Sequence, residues 1–370
     1  MHLRKPWVAA LAVLLLPLAG SGAVVATAGP AAAVAAPDHS ARGPSAAADK
    51  YGNQYIFWRN KHGQLTEGAW NQYSQKWVGP AVLKMGHLGS EPSVTTAPDQ
   101  VFFRDGGKRV FSWVYVYWTS SSSRHDLMMA YYGGGGWKGP FSLGKQGALN
   151  PSATDDQFAG EARAEVFWRG SDGRLWQVQS GSEPWKPGTY SKPVQASFGG
   201  HGFGTLGTSP ANGGDASDCT EGVCSHANTV EWRGTNGELY GSVYSLSNGA
   251  WTSGPRQPLV GPHQQPYKAK LGSAPSAVTE SSGTVDTVWQ GTGRSRSLMY
   301  LAGGRVENLG DGPLGSVPVD TWSAATAKPT KANQLFVYWT SFSGWLNEAH
   351  YDARGWHHTV ISKFGDILNA

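Results

Sequence analysis

One short phrase recurs along this chain and dictates its architecture: an aromatic residue before Trp-Arg-Gly, a turn, then Leu and a second aromatic. Its fullest copy is Phe167-Trp168-Arg169-Gly170-Ser171-Asp172-Gly173-Arg174-Leu175-Trp176. Glu231-Trp232-Arg233-Gly234-Thr235-Asn236-Gly237-Glu238-Leu239-Tyr240 repeats it, as does Phe57-Trp58-Arg59-Asn60-Lys61-His62-Gly63-Gln64-Leu65. Weaker copies centre on Trp118, Trp289 and Trp339, so the anchors stand 60, 50, 64, 57 and 50 residues apart. Self-similarity at this period belongs to propellers and solenoids, in which each copy is one supersecondary unit.

Each copy has the same internal order. A strand-like run ends in Trp, and a turn with Asp-Gly, Asn-Gly or His-Gly follows, because Gly and Asn or Asp reach positive φ at little cost. A second Trp then stands beside Gly and Pro, as in Trp77-Val78-Gly79-Pro80, Trp137-Lys138-Gly139-Pro140 and Trp251-Thr252-Ser253-Gly254-Pro255. Small residues lead onward: Leu88-Gly89-Ser90-Glu91-Pro92-Ser93, Ala148-Leu149-Asn150-Pro151-Ser152 and Leu271-Gly272-Ser273-Ala274-Pro275-Ser276. No helical periodicity interrupts the series. The fold expected is all-β, a propeller of six blades with about four antiparallel strands each, seven blades or a β-sandwich being the alternatives. The two longest spacings point to insertions at Asp99–Val110 and Ala211–Asn228. The last unit stops after Phe364-Gly365-Asp366-Ile367, where other copies continue to Pro-Ser, and Gly43-Pro44-Ser45 supplies that piece. N-terminal residues are therefore expected to complete the C-terminal blade, closing the ring and removing exposed sheet edges.

Residues 1–36 read as a signal peptide and Ala-rich leader, leaving 37–370 as a single domain. His2-Leu3-Arg4-Lys5 is basic, Trp7 to Leu16 is apolar, and Ala26-Thr27-Ala28 or Val34-Ala35-Ala36 offers a cleavage site. Pro17, Gly20 and Gly22 break the apolar run short of the ~20 residues of a membrane span. The expectation is a secreted, extracellular protein without membrane insertion. A formal charge of +4 with no Lys/Arg run gives no nucleic-acid stripe. The two cysteines, Cys219 and Cys224, are expected to form one small disulfide within the second insertion.

No catalytic constellation is legible. Glycoside hydrolysis needs two carboxylates at a fixed separation, and the sparse acids lie in turns (Asp172, Asp105, Asp352) or insertions (Asp155, Asp156, Asp215, Asp218). Neither a Gly-x-Ser-x-Gly elbow nor a His-Glu-x-x-His helix occurs. His357-His358 reads as a surface pair rather than a metal site, and no metal or cofactor is implied.

The anchor Trp residues are expected to pack between blades. Trp77, Trp137, Trp185, Trp251 and Trp356 form a second set beside Gly/Pro-rich loops, where a partly exposed ring can stack on the apolar face of a sugar. Arg59, Arg169, Arg233, Glu67 and Glu348 are the candidates for bonding its hydroxyls. One such shallow site gives about millimolar affinity, near −4 kcal/mol, and repetition raises it through effective concentration on a glycan-coated surface.

The phrase Leu-Gly-Ser-x-Pro-Ser with Phe-Trp-Arg-Gly-x-Asp-Gly-x-Leu-Trp and Trp-x-Gly-Pro resembles the repeat of PLL-like bacterial lectin β-propellers across residues 41–370. More distantly it is similar to the Aleuria-type fungal fucose lectins. The resemblance implies binding of glycans, fucosylated or O-methylated, in pockets between blades. In the fungal sites an Arg precedes the strand aromatics and a Glu follows the hairpin. Here Tyr55, Tyr115, Glu165, Thr229, Asp286 and Phe336 take the Arg place, and only Glu67 and Glu348 are acidic at the other, so that triad does not carry over. The Trp289 unit has Gly303-Gly304-Arg305 in place of its second Trp, and its pocket is expected to be empty. The reading is a lectin-like binding protein. The rivals are an extracellular glycosidase or lyase at the channel mouth and a protein-binding scaffold presenting the Cys219–Cys224 segment.

Overall fold

The structure is a computed structural model. It describes residues 43–367 apart from short stretches, the longest being 310–324 and 328–334, and it leaves the side chains of 97–112, 155–162, 212–226, 259–260 and 325–327 undescribed. The leader expected over 1–36 lies outside the described residues.

Six four-stranded antiparallel sheets follow one another in sequence, each formed by consecutive strands in simple meander order. The innermost strands are Ser45–Ala48, Ser93–Arg104, Ala148–Phe158, Ala211–Thr220, Ser276–Thr279 and Ala325–Ala327. Each touches the next in this series, and Ala325–Ala327 touches Ser45–Ala48, which closes the ring. The protein is a six-bladed β-propeller.

The recurrent motifs explain how blades are joined. Leu88, Leu206 and Leu271 are fully buried, and each backbone N–H donates to the turn glycine of the preceding hairpin, Gly63, Gly173 and Gly237 respectively, at 2.7–2.8 Å. The next residue must be Gly where the backbones touch: a Cβ on Gly89 would lie 2.3 Å from Ser120 O, and one on Gly272 would lie 2.6 Å from Gly291 O. The Ser that follows accepts an otherwise orphaned N–H, Thr119 to Ser90 Oγ (2.9 Å) and Gln290 to Ser273 Oγ (3.0 Å). The Ser of Pro-Ser reaches the next blade, with Val94 N–H donating to Ser45 Oγ (2.9 Å) and Ala153 N–H to Ser93 Oγ (2.8 Å).

All six anchors, Trp58, Trp118, Trp168, Trp232, Trp289 and Trp339, are 3 % exposed or less. Trp118 packs with Phe57, Leu65 and Leu88 of the preceding blade and its connector, so the anchors form the walls between sheets.

Two expectations are corrected. The regions Asp99–Val110 and Ala211–Asn228 are paired strand rather than loop, because Ser93–Arg104 with Gly107–Thr119 and Ala211–Thr220 with Val223–Arg233 are elongated hairpins. Ala148–Phe158 with Glu161–Gly170 makes a third. Cys219 and Cys224 face each other in register across the second of these. Their side chains lie outside the described residues, among which no disulfide occurs. The N-terminal strand does not complete the last blade. Ser45–Ala48 pairs with Gln54–Arg59 of its own blade, because a short turn held by buried Asp49 makes local pairing the cheaper closure. Only the connector motif is divided between the ends: Ile367 N–H docks on Gly344 O (2.9 Å) as Leu88 does on Gly63.

Candidate functional site

Strand alternation sends one face of each second strand toward the following blade. On that face the residue before the anchor is Phe57, Tyr117, Phe167, Glu231, Val288 or Tyr338. The second-set Trp residues arrive there from the following blade. Trp137 meets Phe57 edge-on at 5.5 Å, Trp251 meets Phe167 at 5.8 Å and Trp77 meets Tyr338 at 6.2 Å. Trp185 stacks on Trp113 at 5.0 Å, and Trp356 meets Tyr300 at 5.2 Å. Trp251 is buried and the other four are half-buried.

The polar candidates divide. Glu67 joins its groove directly, accepting the Trp137 Nε1–H at 2.9 Å. Burial pushes its carboxyl above the usual range, and the indole N–H opposes that. Glu348 lies opposite Tyr338 in register, beside the ring that Trp77 meets. Arg59, Arg169 and Arg233 instead lie over the turn glycines Gly63, Gly173 and Gly237. Their Nε atoms are buried without a hydrogen-bond partner, and none bonds Glu67, Glu348 or a second-set Trp. Three residues at the fungal Arg place are engaged internally: Tyr55 donates to Asp49, Glu165 accepts from Asn228, and Asp286 accepts from Tyr300.

Two open clefts occur at these seams. Between blades three and four, a cleft of about 340 Å³ is lined by Trp251, Tyr244, the exposed Phe198, Gln177 and Gln195, and Gln195 Oε1 accepts from Arg174 at 3.1 Å. Gln177 occupies the place that Glu67 has in the first blade, two residues after the hairpin Leu. The Tyr244 hydroxyl, pushed up to about 12 by burial and then by nearby Glu165, keeps its proton to donate. Between blades four and five, the missing second Trp leaves a cleft of about 530 Å³ lined by Thr229, Glu231, Ser242, Arg256 and Gln257. Glu231 stands where four of the other five blades put an aromatic ring and the fifth puts Val288, and its Oε2 accepts the hydrogen bond of the Thr287 hydroxyl at 2.6 Å. Burial raises its carboxyl to about 7 against that hydrogen bond.

Sequence reasoning missed Gln177, Tyr244 and Glu231. Aligning the repeats exposes Glu231 as an acid in an otherwise apolar and aromatic column, one unit before the second Trp drops out. The acids Asp155, Asp156, Asp215 and Asp218 have side chains outside the described residues. His357 and His358 point to opposite faces of their strand. His358 stacks on Trp339 at 5.4 Å, while His357 stacks on His350 at 5.0 Å.

No protein-family model and no curated protein matches the chain. Solved structures do. The Aleuria aurantia lectin, described as a fungal six-bladed β-propeller with a novel fucose recognition mode, is 14% identical over 87% of this chain and 96% of its own, with a TM-score of 0.60. AofleA from Arthrobotrys oligospora is 13% identical over 88% of each chain, TM-score 0.59. The SapL1 lectin, solved with alpha methyl fucoside, is 16% identical over 89% of this chain and 97% of its own, TM-score 0.53. At these identities the likeness is one of architecture: the chain has the six-bladed propeller fold of the Aleuria lectin.

Proposed function

We propose that this chain is an exported, lectin-like protein that binds glycans through several non-identical grooves between blades. The observation that carries the reading is the cleft between blades three and four, where Trp251, Tyr244, Phe198, Gln177 and Gln195 line one opening. An aromatic wall suits the apolar face of a pyranose, and amides with a tyrosine hydroxyl suit its hydroxyl edge. Its volume is in the range of small-ligand sites, roughly 300–1,000 Å³. Two of the lectins of the same fold named above are described with fucose recognition or with alpha methyl fucoside bound, which supports a sugar ligand. The internal pairing at the fungal Arg place favours a sugar recognised differently from theirs. The basic and apolar start of the sequence supports export.

A glycan array that includes fucosylated and O-methylated sugars tests this. Binding is expected to be competed by free monosaccharide. Gln177→Ala, which removes one neutral hydrogen bond at the cleft, is expected to weaken the solution affinity of that site about tenfold, and Trp251→Phe to weaken it comparably. A blank array from folded protein sinks the reading. Binding unchanged in both variants moves the site to another groove.

A further inference from the structure

The strand Leu346–Asp352 and the outer strand Gly355–Val360 pair in register, His350 opposite His357 and Asp352 opposite Gly355. Alternation puts Glu348, His350 and Asp352 on one face, and the pairing adds His357 to it. This is the face carrying Tyr338, which looks toward the first blade. The imidazoles of His350 and His357 stack with centroids 5.0 Å apart and planes 23° apart. His357 Nε2 lies 3.0 Å from Asp352 Oδ1, and His350 Nδ1 lies 3.3 Å from Glu348 Oε1. One ligand atom each from His350, Asp352 and His357 falls within 4.8 Å of the other two.

We propose that His350, Asp352 and His357 bind a divalent transition-metal ion of the Zn²⁺, Ni²⁺, Cu²⁺ type. Two imidazoles and one carboxylate form a borderline donor set that favours these ions over Ca²⁺ or Mg²⁺, which take all-oxygen sites. A tetrahedral zinc with ~2.0 Å bonds puts ligand atoms roughly 3.3 Å apart. The His357–Asp352 pair already stands near that separation, and His350 closes the remaining gap by a side-chain rotation. The supporting groups are present. Glu348 holds His350 Nδ1, leaving Nε2 for the ion, in the carboxylate–histidine–metal arrangement that fixes a ligand ring. The Arg354 N–H pins Asp352 Oδ1 at 2.7 Å. All three ligands are partly exposed, with side-chain exposures of 27%, 27% and 40% for His350, Asp352 and His357, so an ion has a path in and a water can take the fourth position. The site stands independently of the sugar reading.

Isothermal titration of the full chain, made without a polyhistidine tag, with Zn²⁺ near pH 7.5 tests it. One saturable ion per chain is expected. His350→Gln and His357→Gln should each lower affinity about tenfold or more, the scale seen when metal-site residues or their supports are lost. His358→Gln, on the opposite face, should leave it unchanged. Near-UV circular dichroism equal to that of the unaltered chain keeps a loss of binding from being a loss of fold. Absence of saturable uptake up to about 1 mM, or uptake that survives both substitutions together, overturns the site.

Discussion

Glu231→Gln is expected to stabilise the propeller at pH 8 by up to about 3 kcal/mol and to leave it unchanged near pH 4.5. The folded carboxyl ionises at about 7 against an ordinary 4.5, because it is buried at the seam between blades four and five. A raised acid favours the folded state only while protonated. Its contribution is complete below the unfolded value and disappears as pH rises through the folded one, a window from about 4.5 to 7. Gln keeps an oxygen to accept the Thr287 hydroxyl and carries no charge to bury. Guanidinium unfolding of both proteins at pH 4.5, 6 and 8 reads the difference. A stability gap that does not change with pH would show that Glu231 is not the titrating group.

Trp118→Ala is expected to cost about 3–5 kcal/mol, the range for deleting a large aromatic from a core. Trp118 is 1% exposed and packs between its own blade and Phe57, Leu65 and Leu88 of the blade before. The cavity would open at a seam rather than inside a sheet, so loss of cooperativity should accompany the lower midpoint. Trp137→Phe tests the contrast. That ring is half-buried, and Phe keeps the edge-on contact with Phe57 while leaving Glu67 without its indole donor. A cost of about 1–2 kcal/mol follows from the lost hydrogen bond to a half-buried carboxyl. Equal losses for the two substitutions would contradict the separate roles of anchor and groove wall.

The anchors and blade number are legible in the sequence because they depend on repetition, and a buried Trp in every unit leaves little choice. Leu-Gly-Ser is legible as a motif, and its reason is steric: only the structure brings Ser120 O to within 2.3 Å of where a Gly89 side chain would be. Groove chemistry is harder to read because its partners come from different units. Glu67 and Trp137 are 70 residues apart, and nothing local to either announces the other. The recurrent Arg residues attract notice by repetition, yet they lie over turn glycines. The informative signals are instead departures from the repeat, Glu231 above all. The histidine cluster follows the same lesson. Adjacent His357 and His358 diverge across a strand, whereas His350 and His357, seven positions apart, meet through hairpin register.

Every blade is a self-contained meander, so the step from the sixth blade back to the first is the one made without polypeptide. Packing and side-chain bonds bridge it: Ala325–Ala327 lies against Ser45–Ala48, Trp77 meets Tyr338, and Phe364 is wedged into the first blade. Phe364, 4% exposed, lies 5.6 Å from Trp58 and 5.5 Å from Trp77, and it presses so closely on Gly68 that a Cβ there would come within 2.4 Å of the ring. In an array whose units touch only their neighbours, the weakest link sets where the whole comes apart. The molecule is then a split washer rather than a welded hoop. The Phe364–Gly68 contact is one of the clasps across that slit, where side chains alone keep the circle shut.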